Sequence, residues 1–567
     1  MTTTHGTRSD PGFQQFLRAA FLASAGYDDC DLSRPLVGVV DTSSDFNTCH
    51  RQMPELVQAV RRGVLEAGGL PMVFPTVSLA EAALTTSSMV FRNLVAFETE
   101  EMILAQPMDS VVLVGGCDKT VPAQLMAALA ADVPAIQVVT GPMMPGHWRG
   151  QSLGACSDCR RVWDENRAGN ADHTLEEITQ SLVTTAGTCM TMGTASTMAA
   201  LAETMGMMLP GGATAPAPSG DRLRTATRSG RRAVTIVGDD NARPRAIVGA
   251  AAIRNAVTVL AALGGSTNAV IHLLAIARRA GVGLTLGECE QIFRRTPLLV
   301  DCKPTGTQYL TDLHNAGGIP TLLKTLEPLL DTDVLGIDGT TLASRLADTA
   351  PPQPWQQVIS TLGHPVGNTG ALAVISGSLA PDGAIIKTAA ATPDLCQHSG
   401  PALVFESLDD VHERIDDPNL DVTENHVLVL RNSGPRANGM PETAAIPIPR
   451  KLAEQGVRDM LRISDARMVG TASGTVVVHI TPETACGGPL ALVRDGDTIE
   501  LDLRARTLNL NVSSAELARR TAEPTTVANR SPARGWRRIF TENVLPANVG
   551  MDFAGEETCT LPTRKAP

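Results

Sequence analysis

The sequence predicts an α/β amino-terminal domain, a parallel sheet flanked by helices, followed by a β-barrel-type domain. Three observations predict it. In the first third, short β-branched runs each end in a polar loop that opens a helix; from 246 to about 345 the apolar spacing is helical; beyond about 365 short alternating runs replace it. The chain divides accordingly into a disordered leader at 1–12, an α/β domain at 13–368 and a barrel domain at 369–567.

The first corner is LVGVV at 36–40, a strand, and its loop DTSSDFNTCH at 41–50 delivers Cys49 just before a helix that begins near Pro54. A second apolar run, PMVFPTVSLAE at 71–81, ends on Glu81, and a helix from about Thr86 through Ile103 follows. The third corner, VVLVGGCDKTVP at 111–122, organises the rest. Val111, Val112, Leu113 and Val114 read as a short buried strand, and Gly115-Gly116 lets the backbone turn. Cys117, Asp118 and Lys119 come next, and Pro122 suits a first helical turn. Open α/β sheets place ligands at this end of their strands. A thiolate is a soft metal ligand and a carboxylate a hard one, so one loop can serve two different metals. The same residues also suit a plain strand–turn–helix corner with a solvated Asp-Lys pair.

VPAIQVV at 133–139 repeats the strand pattern. Cys156 and Cys159 make a CxxC with no second pair to complete a four-cysteine site, and it reads as incidental. Cys189 stands at the entrance of a methionine-rich helix expected from about Ala195 to Met208 and stopped by Pro210-Gly211, and a helix N-terminus stabilises a thiolate. Residues 214–245 read as an exposed connection with solvated arginines. In the helical stretch that follows, Gly264 to Asn268 is a polar break suited to a helix end near a ligand, and His272 reads as a core histidine. The barrel runs are ALAVIS (371–376), HVLVL (426–430), GTVVVHI (474–480), TIELDL (498–503) and LNLNV (508–512), with two chemically loaded loops among them: 431–442, ending in Glu442, and 463–474.

A net charge of −12 argues against nucleic acid and anionic membranes, while local Arg and Lys remain for a small anionic substrate. No apolar run reaches the ~18 residues of a membrane span, and the amino terminus lacks the apolar core of a signal peptide, so a cytoplasmic protein is expected. Eleven cysteines over 567 residues are no secreted disulfide framework. Three of them, Cys49, Cys117 and Cys189, each close a strand or open a helix, and three thiolates are enough to hold an iron–sulfur cluster with one iron left open.

Together with VGGCDKTVPAQLM, GTCMTMGTASTMAALAETMGMMLPG, LAALGGSTNAVIHLLAIARRAG, GSLAPDGAIIK, DVTENHVLVLRNSGP, GMPE and ISDARM, these features mark a resemblance over nearly the whole chain to the IlvD/Edd dehydratases. Within them it resembles the sugar-acid branch that includes arabinonate and xylonate dehydratases. The resemblance implies an active site between the two domains and a homodimer or homotetramer. It implies Cys49, Cys117 and Cys189 as ligands of an iron–sulfur cluster, for which three cysteines suit a two-iron form, the preferred reading, or a four-iron one, and Glu81, Asp118 and Glu442 as Mg²⁺ ligands. Lys119 matches a lysine that is carbamylated in relatives to give a further oxygen ligand. The implied reaction is dehydration of an aldonate or related 2,3-dihydroxy acid to a 2-keto-3-deoxy acid. One position departs from the pattern. Where the family has a serine, the proposed base for the C2 proton, this chain has Val469, with Thr471 and Ser473 nearby. Valine accepts no proton. Thr48 and His50 stand where relatives commonly have Pro and Asn, His50 as a polar loop residue or a stand-in acid/base, and the carboxyl-terminal MDFAGEETCTLPTRKAP is without the usual GCDF. Two readings follow: a working dehydratase, weak or using another base, and a member that keeps the metal sites but serves as a binding or assembly protein. Retention of all seven ligand positions favours the first, since an abandoned site has no physical need of them.

Overall fold

The computed structural model describes residues 11–155, 157–368, 370–442, 446–468, 473–523 and 534–555. Four parallel strands form the first sheet: β1 (Leu36–Asp41), β2 (Leu70–Pro75), β3 (Ser110–Gly115) and β4 (Ala135–Val139), in the order β2-β1-β3-β4. β1 lies between β2 and β3, with Val39 opposite Val73 on one side and Val112 on the other. Every residue of β3 is buried. That explains why the strand reads as a continuous apolar run rather than an alternation, as a central parallel strand covered on both faces must. A small hairpin of β5 (Gly146–Trp148) and β6 (Gln151–Leu153) follows the sheet.

Residues 214–245 correct the sequence reading. They are no exposed connection: Gly220–Thr235 is a helix, capped by Ser219, whose Oγ accepts from the Arg222 amide at 3.2 Å. This helix packs on Met53–Glu66, and two glycines let the backbones meet. A Cβ on Gly230 would lie 2.2 Å from the Val60 carbonyl oxygen, and one on Gly63 would lie 1.9 Å from that of Thr227. Arg222 is fully buried and donates to the Gly212 and Ala215 carbonyls. Its charge misled because two carbonyl acceptors hold the guanidinium inside although its Nε finds no partner. The methionine-rich helix is also shorter than expected, Thr194–Thr204, and stops well before Pro210. Gly206, at φ +83°, takes the left-handed turn that ends it.

The second domain is a closed barrel of eight strands: β7 (Ala373–Gly377), β8 (Ala380–Ile386), β9 (Gln397–Phe405), β10 (Val427–Leu430), β11 (Arg462–Ser464), β12 (Val476–Val478), β13 (Thr498–Asp502) and β14 (Thr507–Leu510). Around the barrel they run β10-β11-β12-β8-β7-β14-β13-β9, with β9, β10, β11 and β12 mutually parallel and β8 antiparallel to β12. Closure leaves no open edge. After the barrel the chain returns to the α/β half. Arg92 donates to the carbonyls of Gly550 (3.0 Å) and Met551 (2.8 Å), Asn93 to Met551 (2.9 Å), and Arg279 grips Asp552 at 2.8 and 3.0 Å with both side chains buried. Phe540, Val544 and Phe553 pack there with Met89, Val90 and Ile271. No helix among the described residues is long and apolar enough to cross a membrane.

Candidate active site

The loops after β1, β2 and β3 carry Cys49, Glu81 and Cys117, and Arg467 from the barrel half reaches Glu81 there. Glu81 opens a short 3₁₀ turn, Glu81–Ala83, after β2, and Asp118 and Lys119 follow β3. Glu442 arrives from the barrel side on a loop held by one parallel bridge to Arg467. One oxygen of each of Glu81, Asp118 and Glu442 lies within 4.8 Å of the others. Three carboxylates so close repel one another, and cations hold them. The Lys119 ammonium, 5% exposed, pairs with Asp118 and reaches Glu81 at 3.4 Å. Arg467, fully buried, pairs with Glu442 and with Glu81 at 2.7 Å. Burial works against ionising Glu81, but Arg467, Lys119 and the Ser88 hydroxyl bring its pKa down to about 2. Glu442 is instead raised, chiefly by burial, despite Arg467.

The thiols lie beside this acidic set. Cys117 is buried, and its sulfur is 3.4 Å from Asp118 Oδ1. A hydrogen bond with the Cys49 side chain, then burial, push the Cys117 thiol well above its ordinary range. Cys49 and Cys117 are therefore in contact across two strand-end loops. Cys189 stands on the loop before Thr194–Thr204, where Ser196 Oγ donates to its carbonyl at 3.2 Å. The sulfurs are not drawn together as tightly as the carboxylates: among the described residues the acidic set is the single group of three such ligands within 4.8 Å. Thiols suit iron and carboxylates suit Mg²⁺, so the two donor sets match two different groups.

His50 has a structural task. Its Nε2 accepts from the Cys117 amide at 2.9 Å, and its Nδ1 lies 2.8 Å from the Thr42 carbonyl and 2.9 Å from Ser78 Oγ. Those partners fix a neutral tautomer, and burial lowers its pKa to about 4. With both nitrogens engaged, the ring ties the Cys49 loop to the Cys117 loop. Val469 and Thr471 lie outside the described residues, as does Cys156; Ser473 is exposed. Cys159 packs against Met143, Met190 and Tyr309. Arg467 is the residue that sequence reasoning missed. Its ISDARM loop was visible, but nothing in the sequence distinguishes a buried arginine from a solvated one.

Residues 34–345 match the family model for the dihydroxy-acid/6-phosphogluconate dehydratase N-terminal domain, and residues 357–551 match that for the C-terminal domain. The chain belongs to this family. The 6-deoxy-6-sulfo-D-gluconate dehydratase of Pseudomonas putida is 44% identical over 92% of this chain and 90% of its own length. The L-arabinonate dehydratase of Rhizobium leguminosarum bv. trifolii (strain WSM2304) is 42% identical over 94% and 92%. A dihydroxy-acid dehydratase of Acidothermus cellulolyticus is 37% identical over 90% and 92%. This IlvD/Edd protein is thus a dehydratase, a hydro-lyase, among relatives named for sugar acids, and the binding-only reading is not favoured. The family uses an iron–sulfur cluster and Mg²⁺, and the dehydratase has an acidic set suited to the second.

Proposed function

We propose that this dehydratase converts an aldonate, or a related 2,3-dihydroxy acid, to the 2-keto-3-deoxy acid. The observation that carries the reading is the convergence of Glu81 and Asp118 from one domain with Glu442 from the other, beside the paired thiols of Cys49 and Cys117. Dehydration removes a weakly acidic C2 proton and expels hydroxide from C3; the resulting enol tautomerises to the ketone. When bound, Mg²⁺ and an iron–sulfur cluster supply the Lewis acidity that stabilises enolate-like charge and the departing hydroxyl. Glu81, Asp118 and Glu442 would hold the Mg²⁺, and Cys49, Cys117 and Cys189 the cluster, which we infer to be the two-iron form.

Lys119 is the residue that must change. As an ammonium it neutralises Glu81 and Asp118, the carboxylates a divalent cation needs. Carbamylation would turn that cation into an anionic oxygen ligand in the same place, and it is the state we infer for the working enzyme. The proton acceptor is not His50, whose ring nitrogens are both engaged. With Lys119 carbamylated, Arg467 is the cation left beside the acidic set in a chain of net charge −12, and a bound Mg²⁺ would supply the rest of the positive field that an anionic substrate needs. We infer a cytoplasmic homodimer or homotetramer: the helix Pro11–Ala23 exposes Phe13, Phe16 and Phe21, apolar surface that a second copy would take out of water.

The test is 2-keto acid formation from a panel of C5 and C6 aldonates and 2,3-dihydroxy acids, using anaerobically prepared protein with Mg²⁺, alongside Val469→Ser. The natural chain is expected to turn over at least one aldonate, and the serine variant to be faster by up to about 10²–10⁴-fold, the usual worth of a general base. Turnover by neither protein would overturn the reading. Turnover by the serine variant alone would leave the natural chain a binding protein. Iron and sulfide content per chain tests the cluster, and sedimentation the oligomer.

A further inference from the structure

We propose that Arg467 is the positioning residue of the metal site, the group that sets the separation of the two glutamates contributed by the two halves of the molecule. The inference rests on the reading of Glu81, Asp118 and Glu442 as the Mg²⁺ site. The Arg467 guanidinium is 0% exposed and acts as a fork: Nη1 meets Glu442 Oε1, and Nη2 meets Glu81 Oε1 at 2.7 Å. The fork is itself fixed. Nε donates to the Met440 carbonyl at 2.9 Å, Nη2 also reaches Ser88 Oγ at 3.2 Å, and the backbone of Arg467 pairs with that of Glu442. Arg467 and Glu442 therefore enter as one unit from the barrel side, and the bond to Glu81 spans the two halves.

The oxygens are shared out accordingly. Arg467 holds Oε1 of each glutamate, while Oε2 of Glu81 meets Ser88 and Lys119. Arg467 thus takes the second oxygen of neither glutamate, and Lys119, which does meet Glu81 Oε2, is the cation placed to yield when the metal enters. A planar guanidinium with donors in a fixed geometry holds two carboxylates at a set spacing, which an ammonium on a flexible stem, such as Lys119 between Asp118 and Glu81, does not fix. Groups that orient metal ligands in this way typically contribute about 10–100-fold to metal affinity.

If Arg467 merely fills the site until a metal displaces it, removing it tightens Mg²⁺ binding. The experiment is calorimetric titration of Mg²⁺ into anaerobically prepared protein, comparing the natural chain with Arg467→Lys, Arg467→Gln and Glu442→Gln. Both arginine variants are expected to bind Mg²⁺ about 10–100-fold more weakly, with iron and sulfide content unchanged. Unchanged or tighter Mg²⁺ binding in them overturns the proposal, even if their melting temperatures fall, because a purely structural arginine would do that. Should the glutamine variant not fold, the lysine variant decides, since it keeps the charge and loses the fork. If Glu442→Gln binds Mg²⁺ as the natural chain does, the acidic set is not the metal site, and both the reading and the inference fall.

Discussion

In the α/β half, Cys49, Glu81, Cys117 and Asp118 all follow strands of one parallel sheet, so neighbouring strands alone bring their side chains together. The barrel half contributes Glu442 and Arg467 from two loops joined, among the described residues, by an isolated bridge and by no longer ladder. The first kind of placement is built into the sheet and survives the loss of any one side chain. The second depends on ion pairs and on the carboxyl-terminal segment that returns to the α/β half. The sheet side should therefore tolerate substitution structurally and fail chemically, whereas the barrel side should fail by losing its position.

The largest expected effect tests the return segment. Arg279 and Asp552 are 1% and 0% exposed, and neutralising the aspartate breaks both of its bonds to the buried guanidinium, which keeps only Glu100, at 3.0 Å. Asp552→Asn should destabilise the protein by about 3–5 kcal/mol in chemical denaturation. A loss below 1 kcal/mol, the worth of a surface pair, would mean that the segment does not hold the halves together. Next comes Glu442→Gln, which keeps the shape and removes the charge. Its kcat/KM should fall by about 10²–10³-fold, the scale of losing one preorganised contact to developing charge, with little change in melting temperature. A comparable fall in melting temperature would show that Glu442 holds the barrel as well as serving the chemistry.

A smaller effect is expected at His50. His50→Leu leaves the Cys117 amide and the Thr42 carbonyl without their partner, at a cost of about 1–3 kcal/mol for a buried group left unsatisfied. If the corner is held by the sheet, iron content should persist in this variant; loss of iron would show that the histidine, not the strand, places Cys117. The smallest effect lies away from the site. Glu203 is buried, and burial raises its pKa from 4.5 to about 7 against the pull of the Gly211 and Ala213 amides. The folded state then holds a proton that the unfolded state has released, so stability falls as pH rises from about 4.5 to 7. The melting temperature of Glu203→Gln relative to the natural chain should rise across that window. A constant difference would mean that Glu203 is ionised throughout.

The same contrast explains what the sequence made legible. Corners of the α/β half are local: a β-branched run, a glycine pair and a reactive triplet at 111–119 are contiguous, and the sheet adds only adjacency. The barrel's share is non-local. Glu442 was legible through its GMPE motif, but Arg467 is 25 residues away along the chain, and its role exists only once both loops and Glu81 are assembled. The helix Gly220–Thr235 was missed because arginine and glycine suggest solvent and turns, whereas Gly230 is there for a close helix approach and Arg222 for buried carbonyls. Residue type reports charge and size, and burial is decided by what else arrives.

The return of the chain after the barrel limits how the molecule can move. The polypeptide leaves the α/β half near residue 370 and is anchored on it again by residue 550, so the barrel is a looped-out insertion tethered at both ends. A domain on one linker can swing wide and flood its cleft. One tethered twice has a shorter swing open to it, so the cleft between the halves is held narrow from both ends of the barrel.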